Sequence, residues 1–175
     1  MSDEFDALRQ LVRDVPDFPK PGIVFKDLTP AFADPKCFAT IVDAIVDRHA
    51  GTGIDRVLGI EARGFIVAAP VAYRLSAGFV PARKKGKLPW ATSSVSYELE
   101  YGTESLELHR DAVATRERVL IVDDVLATGG TAAAAVSLVR EAGAEVAGCS
   151  FILELGFLGG RSKIPDLDVH SLVAY

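Results

Sequence analysis

The sequence predicts an α/β domain built on a central, mainly parallel sheet flanked by helices. Three observations predict it. The stretches 57–60, 118–122 and 145–155 are rich in consecutive apolar residues, as strands buried on both faces are. Segments with helical apolar spacing separate them. Glycine-bearing turns mark the changes of period. Strands alternating with helices pair in parallel, and such sheets take ligands beyond the carboxyl ends of their strands.

Phe5, Leu8, Leu11, Val12 and Val15 recur at helical spacing and predict a first helix. Pro16, Pro19 and Pro21 then predict an extended arm. Asp34 before Pro35 is an N-cap followed by an N1 proline, and Phe38, Ile41, Val42, Ile45 and Val46 carry a second helix to about Gly51. The strand 57–60 passes through Glu61, Ala62, Arg63 and Gly64 into an alanine-rich helix ending near Leu75, and Phe79 and Val80 open another strand. Residues 83–96 lack a period and predict a long loop, followed by a hairpin in which 97–101 and 105–109 alternate around Gly102. The strand 118–122 runs into a turn at 123–130, then a helix from Thr131 to about Ala142 closed by Gly143, and a strand at 145–155. No repeat or low-complexity linker interrupts residues 1–175, which are read as one domain.

Composition narrows the class. At 175 residues, 49% hydrophobic, 25% charged and with a formal net charge of -5, the chain has the make-up of a globular protein rather than a nucleic-acid scaffold. Cys37 and Cys149 stand alone, outside any disulfide framework or metal-ligand spacing. The opening MSDEFDALRQLV is acidic and amphipathic, without the features of a signal peptide, and no apolar run reaches membrane-spanning length. The expected setting is the cytoplasm, with no membrane or nucleic-acid partner. His49, His109 and His170 show neither metal spacing nor a nucleophile motif and are expected at the surface or an interface.

The most specific segment is VLIVDDVLATGGT, residues 119–131. An apolar strand delivers Asp123 and Asp124 to the sheet edge, and Ala127, Thr128, Gly129, Gly130 and Thr131 lead into a helix. Glycines let backbone approach a phosphate, the helix start offers unpaired N–H groups, and threonine hydroxyls add hydrogen bonds. Carboxylates suit vicinal ribose hydroxyls and positive charge developing on a sugar. One capping aspartate would explain an isolated Asp but not all these features together. A Walker A loop is excluded because no Lys follows the glycines, and the three-glycine dinucleotide spacing is absent.

These residues resemble the phosphoribosyl pyrophosphate motif of the type I phosphoribosyltransferases. GIVFKDLTP (22–30), GIEARGF (59–65), RKKGKLP (83–89), YELEYG (97–102) and the late LGGRSKI resemble the adenine-specific branch, so the likeness spans almost the whole chain. It implies a purine-salvage enzyme that converts adenine and 5-phosphoribosyl-1-pyrophosphate to AMP and pyrophosphate, with Mg2+ carried on the substrate and no protein metal cage. It implies a homodimer, an N-terminal hood at about 1–33 and a flexible catalytic loop at 84–98.

The same resemblance assigns roles, beside which simpler readings stand. Val24, Phe25, Lys26 and Val125 would meet adenine, with Phe25 stacking; alone, Phe25 is equally an apolar anchor for the arm. Arg63 would bind pyrophosphate, or be a surface arginine paired with Glu61. Arg83, Lys84, Lys85 and Lys87 form a dense basic cluster, of which Lys84 and Lys87 would reach pyrophosphate and Arg83 would join them or a neighbouring subunit. Glu100 would move a proton at N7 or N9 of adenine, or be one exposed hairpin glutamate among Glu98, Glu104 and Glu107. The residues Trp90, Ala91 and Thr92 match no family pattern. Rival functions are a transferase for another base and a sensor that binds the sugar without turnover.

Overall fold

The computed structural model describes residues 5–98 and 103–175; Glu100 lies outside them. Seven strands form the main sheet: β3 (Arg56–Ile60), β4 (Gly78–Lys84), β5 (Thr92–Glu98), β6 (Thr103–His109), β7 (Arg118–Leu126), β8 (Glu145–Glu154) and β9 (Val169–Ala174). Their order is β5-β6-β4-β3-β7-β8-β9. The pairs β3/β4, β3/β7, β7/β8 and β8/β9 are parallel, while β4/β6 and β5/β6 are antiparallel. A mainly parallel sheet flanked by helices is therefore what the chain forms.

The strands bury both faces, which is why their sequences read as apolar runs. Leu58, Ile60, Val119 and Ile121 pack with α5 (Gly130–Glu141) on one side. Val57, Leu120 and Val122 pack on the other, with α3 (Pro35–His49) and α4 (Gly64–Leu75). Alternate residues of one strand thus serve separate cores. Asp34 caps α3 as expected, its carboxylate accepting from Lys36 N at 3.0 Å and Cys37 N at 2.8 Å.

The N-terminal segment is less helical than its spacing predicts. Helix α1 is only Asp6–Leu11, and Val15 belongs instead to β1 (Arg13–Pro16), antiparallel to β2 (Val24–Asp27). Pro16 disfavours helical backbone at Val15, and 13–16 pair with 24–27 as a two-stranded ribbon. A short helix α2 (Thr29–Ala33) then leads to α3.

Two further departures concern the sheet. The loop expected at 83–96 is shorter: β4 runs through Lys84, β5 begins at Thr92, and 85–91 join them. Strand β5 pairs with β6 along its whole length, from Thr92 opposite His109 to Glu98 opposite Thr103. Its serine- and threonine-rich sequence, with one half-buried apolar residue at Val95, hides the alternation. Strand β7 continues through Asp123 and Asp124 to Leu126 because β8 pairs with it as far as Glu154. One histidine differs from expectation: His49 is buried, with Nε2 2.9 Å from Ser150 Oγ, while His109 and His170 are half-buried.

Candidate active site

The carboxyl ends of β3, β4, β7 and β8 converge on a cleft of about 770 Å³. The chain leaves β3 toward β4 on one side while β7 lies on the other, so the cleft opens where the connections diverge. Four basic residues, Lys26, Arg63, Lys84 and Lys87, line it. Four acidic residues, Glu61, Glu104, Asp123 and Asp124, line it as well.

The turn after β7 forms a recess of about 70 Å³ bounded by residues 125–132. Gly129 has φ +79°, and a methyl there would strike the carbonyl oxygen of Gly160. A methyl at Gly160 would in turn strike the carbonyl of Ala127. These two glycines let backbone lie on backbone. Arg161 secures the second segment, donating to both oxygens of Glu154 at 2.7 and 2.6 Å and to Val169 O at 2.7 Å. The LGGRSKI segment, which sequence reading leaves without a role, therefore braces the turn. Helix α5 starts here with no side-chain cap, so no side chain competes for its first N–H groups.

Asp123 and Asp124 follow one another but differ in setting. The Asp124 N–H donates to Asp123 Oδ1 at 2.9 Å. A methyl at Gly64 would lie 2.6 Å from that same oxygen, so only glycine lets the start of α4 come this close. Burial, then the neighbouring Asp124 charge, pushes the Asp123 carboxyl well above the usual carboxylate range. Asp124 is buried, and its Oδ2 lies 2.5 Å from Arg63 Nε as an ion pair. The approach lacks hydrogen-bond alignment, which leaves Oδ2 without a hydrogen-bond partner.

The basic wall is organised by carboxylates. Glu61 pairs with Lys87, accepts from Lys84 N at 2.9 Å and meets Arg83 Nε at 3.3 Å. Burial raises the affinity of Glu61 for its proton, but the Lys87 hydrogen bond and these other contacts outweigh it, and the carboxyl sits below its ordinary value. Glu104 accepts from Lys84 Nζ at 2.8 Å and from the Tyr97 hydroxyl at 3.1 Å. Glu107 is buried and accepts from Gly86 N at 2.9 Å, anchoring the 85–91 connection. Arg63 thus pairs with Asp124 rather than Glu61, and Glu104 and Glu107 are not loose hairpin acids. Arg83 bonds to Glu61 and the Lys87 carbonyl within its own chain, and it does not line the cleft.

On the remaining side, Val24, Phe25, Lys26 and Val125 line the cleft together with Ile23, Leu155 and Leu158. Arg63 Cζ lies 4.9 Å from the Phe25 ring centre, and Phe18 meets that ring edge-on at 5.2 Å. Lys26 is held by Asp14 at 2.6 Å and lies 4.3 Å over the Tyr175 ring. The structure therefore brings together Val24, Phe25, Lys26, Arg63, Lys84 and Lys87 with Asp123, Asp124, Val125 and the turn 127–131. Sequence reading misses Glu61 as organiser, along with Glu104, Tyr97, Leu155 and Leu158. Glu61, Tyr97 and Leu158 fall within the quoted motifs GIEARGF, YELEYG and LGGRSKI, whereas Glu104 and Leu155 fall in none of them.

Among the described residues, no group of three or more His, Cys, Asp or Glu side chains is placed to hold a metal ion. The acid pair of β7 is committed to backbone and to Arg63.

Comparison with known proteins agrees with this geometry. Residues 33–169 match the phosphoribosyl transferase domain family. The chain is 60% identical over 162 residues to the adenine phosphoribosyltransferase of Acidothermus cellulolyticus, covering 93% of this chain and 92% of that one. The crystal structure of adenine phosphoribosyltransferase from Thermoanaerobacter pseudethanolicus superposes with a TM-score of 0.95 at 48% identity, covering 98% and 99% of the two chains. The Saccharomyces cerevisiae enzyme, complexed with an imino-altritol bisphosphate and adenine, gives 0.93 at 38% identity, covering 99% and 100%. With its cleft, its turn and these relatives in agreement, the chain belongs to the phosphoribosyltransferase family, among the adenine phosphoribosyltransferases.

Proposed function

We propose that this cleft joins adenine to 5-phosphoribosyl-1-pyrophosphate, giving AMP and pyrophosphate in purine salvage. One observation carries the proposal: an uncapped helix start, an acid pair and a basic wall share one cleft at the strand ends. The turn 127–131 takes the 5-phosphate through its N–H groups and hydroxyls. Asp123 and Asp124 take the ribose hydroxyls, and Arg63, Lys84 and Lys87, with Arg83 behind them, take the pyrophosphate. Phe25 and Val125, with Val24 and the backbone of Lys26, hold the base against the shelf of Leu155 and Leu158.

In the reaction a bond forms between adenine nitrogen and ribose C1 as the C1–O bond to pyrophosphate breaks. The electron pair leaves on pyrophosphate, and the proton lost by adenine passes to Glu100. Burial disfavours the ionised form of Asp123 in the empty cleft. Positive charge growing on the sugar favours that form, so the stabilisation is greatest in the transition state. Mg2+ bound with the substrate would add neutralisation of the leaving group beside Arg63, Lys84 and Lys87. The segment 84–98 serves as the catalytic lid, excluding water that competes for the sugar cation.

The setting we propose is cytoplasmic, and no helix among the described residues is long and apolar enough to cross a membrane. A homodimer is supported by α4, which turns Ile66 and Tyr73 outward on one helical face. Sedimentation as a monomer at all concentrations would contradict that part. The test of function is incubation with adenine, the pyrophosphorylated sugar and Mg2+, with AMP as the expected product. Faster turnover of hypoxanthine, guanine or orotate than of adenine would overturn the assignment.

A further inference from the structure

Each basic residue of the pyrophosphate wall already has a carboxylate partner: Arg63 has Asp124, Lys87 has Glu61 and Lys84 has Glu104. An incoming anion must therefore share or replace these partners. The acids on the two lysines differ in how firmly they are held. The Glu61 side chain is 6% exposed and is fixed by Lys84 N and Arg83 as well as Lys87, so it is part of the wall. The Glu104 side chain is 34% exposed, and apart from Lys84 its polar contact is the Tyr97 hydroxyl.

Given the function proposed above, a phosphate oxygen that reached Lys84 Nζ would arrive beside the Glu104 carboxylate. Like charges at that spacing repel. We propose that Glu104 is a positioning residue that holds Lys84 in the empty cleft as a stand-in anion and yields it to pyrophosphate by ion-pair exchange. The pairing is mutual: Lys84, chiefly through its hydrogen bond, holds the Glu104 carboxyl below its ordinary value, and the Glu104 hydrogen bond is the largest influence raising that of Lys84. Strand β6 presents Glu104 directly opposite Tyr97 of β5, so the hairpin fixes the acid in reach of the end of β4. Because the exchange ends an existing ion pair, Glu104 lowers affinity for pyrophosphate and hastens its departure.

The test is a binding cycle with inorganic pyrophosphate, read by titration calorimetry. Glu104→Gln keeps the shape and removes the charge; it is expected to tighten pyrophosphate about 3- to 5-fold, the upper range of a partly exposed ion pair. Glu104→Ala should move the same way. In a Lys84→Met background the same substitutions should change affinity less than twofold, since the exchange partner is gone. The KM for the pyrophosphorylated sugar should fall with Glu104→Gln while kcat falls too, because product leaves more slowly. Unchanged or weaker binding overturns the proposal, as does equal tightening without Lys84, which would indicate long-range charge alone. Wild-type protein that binds pyrophosphate and shows the cycle yet forms no AMP would refute the function and leave the exchange standing. AMP formation with no effect at Glu104 would do the reverse, and wild-type protein that binds no pyrophosphate would remove both.

Discussion

The turn 127–131 and the basic wall line the same cleft, yet they are built from different materials. The turn is backbone on backbone: Gly129 against Gly160, an uncapped helix start and no charged side chain in its recess beyond Asp123. The wall is made of long, half-exposed side chains, each steadied by a carboxylate. Backbone donors need no counter-ion and hold their geometry empty or full, whereas lysines and arginines need partners to stay in place. In the proposed reaction the 5-phosphate stays with the product sugar and the pyrophosphate departs. A rigid cradle suits the first task and a set of exchangeable pairs suits the second.

The largest expected effect sharpens this contrast by separating chemistry from both anion sites. Glu100→Gln should slow the single-turnover step by about 10²- to 10⁴-fold, the span of general acid–base catalysis, with sugar-phosphate affinity unchanged. Wild-type speed in that variant would contradict the proton-transfer role. Next, Gly129→Ala places a side chain at φ +79° and against Gly160. A cost of about 2 kcal/mol or more in the turn corresponds to roughly 30-fold weaker ribose 5-phosphate binding. Normal affinity there would break the view of the turn as an inflexible cradle.

A smaller effect is expected on the wall. Lys87→Met should weaken pyrophosphate about 10-fold, as loss of one charge-assisted hydrogen bond does, and leave ribose 5-phosphate binding alone. Equal loss of both ligands would erase the distinction between the two regions.

The smallest effect on ligand binding belongs to His49, which lies outside the cleft lining and controls stability instead. Burial, then the His170 and Arg48 charges against the opposing pull of Asp168, pushes the imidazole down from 6.5 to about 4. The unfolded chain takes up a proton first as pH falls. Stability is therefore full above about pH 6.5 and declines until about pH 4, by something of the order of 3 kcal/mol at about 1.4 kcal/mol per unit. Thermal melts across that window should show the decline, and a flat profile would contradict it.

The turn was legible in the sequence for the reason that makes it rigid. Backbone recognition demands glycine at fixed places, and two adjacent aspartates after an apolar strand leave few other uses. The wall was legible only as a charge cluster. Which acid meets which base depends on strands that are distant in the chain: Glu61 after β3, Lys84 at the end of β4 and Glu104 on β6. The start of β5, residues 92–96, stayed hidden because hydroxyl residues fill its faces, and Val15 misled because a strand residue of the arm can share helical spacing with the helix before it. Gly160 could not be connected with Gly129 across an intervening helix and strand, although both sit in quoted motifs.

Leu155, Leu158 and the ribbon bearing Val24 and Phe25 line the cleft apart from the backbone contact that ties Gly129 to Gly160. Anyone wishing to retrain this scaffold for an altered nucleobase would find its tolerant ground there. In the proposed reaction, trimming Leu158 or exchanging the ribbon would change which base is selected while the turn 127–131 keeps the phosphorylated sugar.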